Sequence, residues 1–292
     1  MTFPFNNKNK YIATSPAKII LFGEHSVLYG SKCISIAIKK HGKVNSIPGK
    51  GKIICKDSTG KMAVLNEVLD FKFVNSDVII ELEMPMGSGL GTSAITCLLI
   101  SAMISVNDND PPYQKEKVHE GLSVLTRRAI NLEHVFHGKS SGTDVITSLF
   151  GGLICYQDKL VRRMDDSHIT KYKIIVWNSG IQKKTSDSCK LKTNTHKKLY
   201  DIAEEAYEIL SDSFTLKEFY DLVRRSQDCL EELVKVPEEM KTEIRRLRRF
   251  NIESKISGSG NGGHLVTLIN KDENVNGWEE VEIDYEGFHF MK

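Results

Sequence analysis

Short apolar runs and longer amphipathic ones divide the chain between them. Residues 19–22, 32–37, 52–55, 78–82 and 153–156 read as strands in the first part; 173–177, 265–269 and a last stretch near 280–285 read as strands in the second. Turn residues punctuate them, at His41-Gly42 and at Pro48-Gly49-Lys50-Gly51. Helical spacing takes over elsewhere. Residues 95–106 are apolar with no breaker inside, and residues 115–136 place Val118, Leu122, Leu125, Ala129, Leu132 and Phe136 on one face. A polar, proline-ended break at 107–112 separates these two helices. Beyond Tyr172 the character changes, and one strand is followed by long helices over 195–211 and 216–234 and a third after Pro237. The 292 residues suffice for one large domain or two packed lobes.

The helix over 95–106 is fed by Pro85-Met86-Gly87-Ser88-Gly89-Leu90-Gly91-Thr92-Ser93-Ala94, with glycine at alternate positions and then two hydroxyls. Glycines let the backbone approach a ligand without Cβ clashes, and the first free N–H groups of the helix point at whatever sits there. The partial positive charge of a helix N-terminus favours an anion, and phosphate is the usual one. The stretch is not a Walker A loop, because no Lys follows the last glycine ahead of the hydroxyl. A glycine-rich turn that only caps a core helix is the alternative.

Other polar residues stand in unusual company. Lys18 precedes the apolar run 19–22, and Glu24 and His25 follow it after Gly23. Charges beside a buried run are usually a solvated strand end; the functional reading is a strand whose two ends bring a cation and a polar pair to one pocket. Glu133 sits near a helix C-terminus, where the dipole disfavours it, although an exposed Glu there is the norm. His137-Gly138-Lys139-Ser140-Ser141-Gly142-Thr143-Asp144 is a small-residue loop ending in an Asp, which could cap the next helix or present its carboxyl from a helix start. Lys255-Ile256-Ser257-Gly258-Ser259-Gly260-Asn261-Gly262-Gly263-His264 is a second glycine-rich loop. Lys183-Lys184-Thr185-Ser186 is basic and rich in hydroxyls; Arg245, Arg246, Arg248 and Arg249 read as a solvated helix face.

Composition narrows the class. Apolar residues at 40% and charged ones at 27% are ordinary for a soluble enzyme, and a net charge of +2 gives no reason to invoke nucleic acid or an acidic membrane. Cys33, Cys55, Cys97, Cys155, Cys189 and Cys229 are scattered singly with no C-x-x-C pair, as expected of core thiols in a reduced compartment. Residues 1–10 are polar and Asn/Lys-rich rather than signal-like, and no apolar stretch has membrane-spanning length. Cytoplasmic location is the expectation.

Three motifs then carry a resemblance: residues 18–30, 85–94 and 255–263, in that order and spread over essentially the whole chain. They identify it as a member of the GHMP kinase superfamily. Gly23-Glu24-His25 with Val27 and Gly30, and Glu133, His137-Gly138, Ser141-Gly142 and Asp144, are most similar to the mevalonate kinases. The resemblance implies an α+β, two-lobed GHMP kinase fold. Its N-terminal lobe, residues 1–170, would be ribosomal-protein-S5 domain-2-like and its C-terminal lobe, residues 171–292, ferredoxin-like. It implies ATP-dependent phosphorylation of the mevalonate 5-hydroxyl, a step toward isoprenoid precursors.

In that reading ATP is the co-substrate, its phosphates on Gly87, Ser88, Gly89, Leu90, Gly91, Thr92 and Ser93, with Lys18, Gly258, Ser259 and Gly260 completing the nucleotide site. Ser93 and Glu133 bind Mg²⁺, an ion that takes oxygen ligands and keeps several waters. Asp144 accepts the proton of the attacking hydroxyl, and Lys18 supplies positive charge beside it. Lys18, Glu24, His25 and Asp144 surround mevalonate, with Lys183 or Lys184 available for its carboxylate. The implied partners are small molecules, with no nucleic acid and no membrane, and a homodimer is the one oligomer kept in view. Val145 stands where the family commonly has Asn, and Asn261 interrupts the third glycine run. Phosphomevalonate or another small acceptor therefore stays open as the alternative, and a catalytically inactive sensor is the reading from another class.

Overall fold

The computed structural model describes residues 11–69, 72–108, 123–138, 140–182 and 193–291. Its first part is a mixed sheet built on two long strands, β1 (Ala13–Phe22) and β2 (Cys33–Pro48). To these add β3 (Ile53–Lys56), β4 (Met62–Val64), α1 (Asn66–Leu69), β5 (Ser76–Leu82), α2 (Thr92–Asn107), α3 (Val124–His137), α4 (Thr143–Phe150), β6 (Leu153–Gln157) and β7 (Leu160–Arg163). β2 pairs with β1 on one side. On the other it pairs with β6 through residues 33–36 and with β5 through 42–48. The β3–β5 pair is parallel and the other pairings are antiparallel.

Every residue of β1 is buried, because α2, α4 and, from the second part, α5 (Thr193–Leu210) pack against β1 and β2. A strand enclosed in this way loses the alternation of a half-exposed one, and Lys18 lies inside rather than at a solvated end. α2 is buried almost all round, from Ala94 to Met103, and forms the centre of this part.

The second part holds β8 (Lys173–Asn178), α5, α6 (Leu216–Leu233), α7 (Glu238–Arg248), β9 (Lys255–Ile256), β10 (His264–Ile269) and β11 (Glu279–Val281). The strand order β11-β8-β10-β9 is that of a ferredoxin-like unit. The second crossover departs from that unit, since residues 270–278 between β10 and β11 form turns and no helix. α6 opens on a capping box, with Thr215 and Glu218 each satisfying the other's backbone N–H.

Beyond Val281 the described residues pair with the first sheet, not the second. The chain recrosses at its end: Ile38 bridges Ile283, and β12 (His289–Phe290) pairs with β1 at Ala13 and Thr14. One continuous apolar core runs through both parts, with Phe22 edge-on to Phe219 at 5.8 Å.

His41-Gly42 is not a turn. β2 continues through it, and a Cβ on Gly42 would collide with Ile95 and Leu82, so glycine there admits α2 close to the sheet. β4, α1, β7 and β12 are additional to the sequence reading. The first turns of the helix expected over 115–136 lie outside the described residues, as do Lys183, Lys184, Ser186 and Cys189. Cys33, Cys55, Cys97, Cys155 and Cys229 are buried free thiols. Among the described residues no helix is long and apolar enough to cross a membrane.

Candidate active site

The glycine loop runs from the end of β5 to α2, whose N-cap is Gly91 at φ 81°. Left-handed backbone favours glycine, and space is tight as well: a Cβ on Gly91 would sit 3.0 Å from Lys18 Cγ and 3.1 Å from Cε. The Lys18 N–H donates to the Leu90 carbonyl at 3.0 Å, so loop and lysine form one unit.

Two residues outside the motif hold the loop from either side. Asp57, after β3, accepts the Met86 N–H at 2.8 Å. Burial pushes its carboxyl up, but hydrogen bonds from Thr59, Met86 and Lys61 outweigh that and hold it below its usual range. From β10, His264 Nδ1 lies 2.7 Å from the Ser88 carbonyl oxygen, which can only accept, so Nδ1 carries the proton.

A cleft of about 450 Å³ opens beside this loop. Gly87, Gly89, Gly91, Thr92 and Ser93 line it, together with Lys18, Glu24, His25, Glu133, Asp144, Gly258 and Ser259. Three of the expected nucleotide contacts do not. Leu90 belongs to the core, and Ser88 is buried with its carbonyl on His264. At Gly260 a Cβ would meet Val234 at the end of α6, so its bare face is turned to packing rather than to the cleft.

Lys18 Nζ stands 3.0 Å from Asp144 Oδ2, the lysine side chain 2% exposed and the aspartate 30%. Asp144 is in the first turn of α4, whose N-cap is Gly142 in the left-handed region, so the helix dipole favours its charge. Glu133, on α3, is only 3% exposed and accepts from Ser140 Oγ. Burial first, then the Asp144 charge, raises its pKa to about 8, against the opposing pulls of Ser140 and Lys18. The surface reading of Glu133 is therefore excluded. Ser93 Oγ is buried and, apart from the weakly polar Cys97 thiol one turn along α2, has no hydrogen-bond partner among the described residues.

These two groups suit a hard divalent cation. Among the described residues no three His, Cys, Asp or Glu side chains cluster to hold a metal alone. An orphaned hydroxyl and a costly buried carboxyl fit an ion whose remaining ligands are water and phosphate oxygens.

At the far end, Gly23 has φ 95°, and a Cβ on it would strike the Lys32 carbonyl; this packing sets the turn carrying Glu24 and His25. His25 itself takes a left-handed φ of 59°. The Glu24 side chain is buried against Lys255 of β9, whose ammonium burial draws its pKa down. The third loop is tied to the first sheet by the Ile20 N–H donating to Ser257 Oγ at 2.9 Å.

The structure thus brings Lys18, Glu24, His25, Ser93, Glu133 and Asp144 to one cleft from four separate stretches of sequence. Asp57 and Ser140 join the site without any motif to mark them, and Lys255 and His264 are more than the ends of a glycine run. Charged and aromatic residues flanking such a run were the available signal.

Residues 60–152 match the family model described as GHMP kinases N terminal domain. The mevalonate kinase of Archaeoglobus fulgidus is 27% identical over 295 residues, a match covering 94% of this chain and 98% of that protein. Among solved structures, L. major mevalonate kinase in complex with R-mevalonate superposes with a TM-score of 0.67 at 20% identity, over 93% of this chain and 91% of that one. Lactococcus lactis galactokinase complexed with galactose gives 0.71 at 14% identity, over 98% and 97%. The fold is the two-lobed GHMP kinase fold.

Proposed function

We propose that this chain, which carries the N-terminal domain and fold of the GHMP kinases, transfers the γ-phosphoryl group of ATP to the 5-hydroxyl of mevalonate. One observation carries the reading: a lysine ammonium 3.0 Å from an aspartate carboxylate, inside a cleft walled by a glycine loop at a helix N-terminus.

Phosphoryl transfer asks a protein mainly for positioning and charge stabilisation. The backbone around Gly87, Gly89 and Gly91 and the start of α2 hold the phosphates. Ser93 and Glu133 hold Mg²⁺, which when bound neutralises phosphate oxygens. Asp144 Oδ takes the proton of the acceptor hydroxyl as it attacks. Lys18, 3.0 Å from its carboxylate, orients Asp144, and the lysine charge opposes the negative charge developing at the attacking oxygen. Glu24 and His25 bind the acceptor's other polar groups.

The charge of the cleft favours mevalonate. Lys18 is the only Lys or Arg among its described lining residues and is already paired with Asp144, which suits an acceptor with a single carboxylate. Val145, directly after Asp144, favours phosphomevalonate as the second reading. A coupled ADP-release assay with mevalonate and phosphomevalonate side by side tests both. Turnover on phosphomevalonate alone overturns the first reading, and no ADP release with any small alcohol overturns the kinase mechanism.

A further inference from the structure

Glu24 and Lys255 come from different lobes, the first from the turn after β1 and the second from β9, and each side chain is 1% exposed. Lys255 Nζ donates to Glu24 Oε1 and, at 2.8 Å, to the Ile256 carbonyl oxygen, and lies 5.9 Å from the centre of the Phe22 ring. The two carboxylate oxygens of Glu24 differ. Oε1 accepts from the ammonium; Oε2 is buried with no hydrogen-bond partner among the described residues, and Glu24 lines the cleft.

A buried ion pair is poor support for stability, since desolvating two charges offsets most of their attraction. A carboxylate oxygen left unsatisfied is costlier still and calls for a partner. An acceptor hydroxyl entering the cleft supplies that partner.

We propose that Lys255 is a positioning residue: it pins Glu24 by one oxygen so that the other is presented to a hydroxyl of the acceptor. This rests on the reading of the cleft as a small-alcohol kinase site and names how the acceptor is recognised there. It also couples acceptor binding to the seating of the second lobe, because the pin is anchored in β9.

The test compares Lys255→Met with the double variant Glu24→Gln/Lys255→Met. The single variant strands a buried charge and is open to misfolding; the double variant removes both charges. Thermal melting and binding of a non-hydrolysable ATP analogue establish that each is folded. The expected result is an acceptor KM raised about tenfold or more, the loss typical of a hydrogen bond to a charged group, with the KM for ATP unchanged. Lys255→Arg restores part of the acceptor affinity. A strut that merely ties the lobes together moves both KM values together or neither, and either outcome in the double variant overturns the proposal. A panel of alcohols is run first on the wild-type protein. If mevalonate is inert and another alcohol is phosphorylated, the proposed function falls and the KM comparison on that alcohol decides the case of Lys255. If no alcohol is phosphorylated, both fall.

Discussion

Glu133 and Asp144 face the same cleft close enough for the charge of one to raise the pKa of the other. Burial and the Asp144 charge hold Glu133 at about 8, so at pH 7 its carboxyl is largely protonated before any ligand arrives. Mg²⁺ requires the ionised form. Mg²⁺–nucleotide binding at pH 7 is therefore expected to expel about one proton. Calorimetry in buffers of different ionisation heat measures it. Glu133→Gln abolishes the buffer dependence, and a wild-type protein without that dependence refutes the metal role.

The same residue sets a pH dependence of stability. Its folded pKa lies above the ordinary carboxylate value, so between that value and about 8 the folded chain binds more protons than the unfolded one. The contribution is fully present at low pH and is lost as pH rises through about 8. Glu133→Gln should therefore gain in melting temperature over wild type as pH increases from 5 to 9, by roughly 2–4 °C for each kcal/mol in a large domain. Parallel melting curves across that range would contradict the assignment.

Asp144→Asn keeps the shape of the side chain and removes the base. Nucleotide affinity should stay nearly constant while kcat falls by about 10²–10⁴. A fall of less than about tenfold would mean that the hydroxyl proton leaves by another route.

Asp57 acts on the glycine loop at one remove, through the Met86 N–H. Asp57→Ala deletes that bond and those to Thr59 and Lys61. The KM for ATP should rise by about tenfold, the size of a lost charged hydrogen bond, while the KM for the acceptor is unaffected. Equal rises in both would point to a general loosening of the lobe instead.

How much of this was legible in the sequence follows from the physics of each element. α2 and α6 announce themselves because a long apolar stripe or an unbroken apolar run has one economical packing. β4, only three residues and largely exposed, has no such period, and β12 exists only because β1 offers it an edge. Gly42 was misread because glycine marks turns and tight packing alike, and only Ile95 and Leu82 tell which. In the cleft, residues on glycine motifs could be named from the chain itself. Asp57 and His264 could not be assigned a role, since each reaches the loop through a distant backbone group, Met86 N–H and Ser88 C=O, and such bonds leave no trace in spacing.

The return of the chain's end to β1 constrains how this molecule can breathe. Two covalent strands, one near residue 170 and one near residue 285, tether the halves, and Ala13 is zipped to Phe290. A clamshell swinging on one pivot is thereby denied. Any opening of the cleft is expected to be a rocking about a line through both tethers, or a movement of the rim alone.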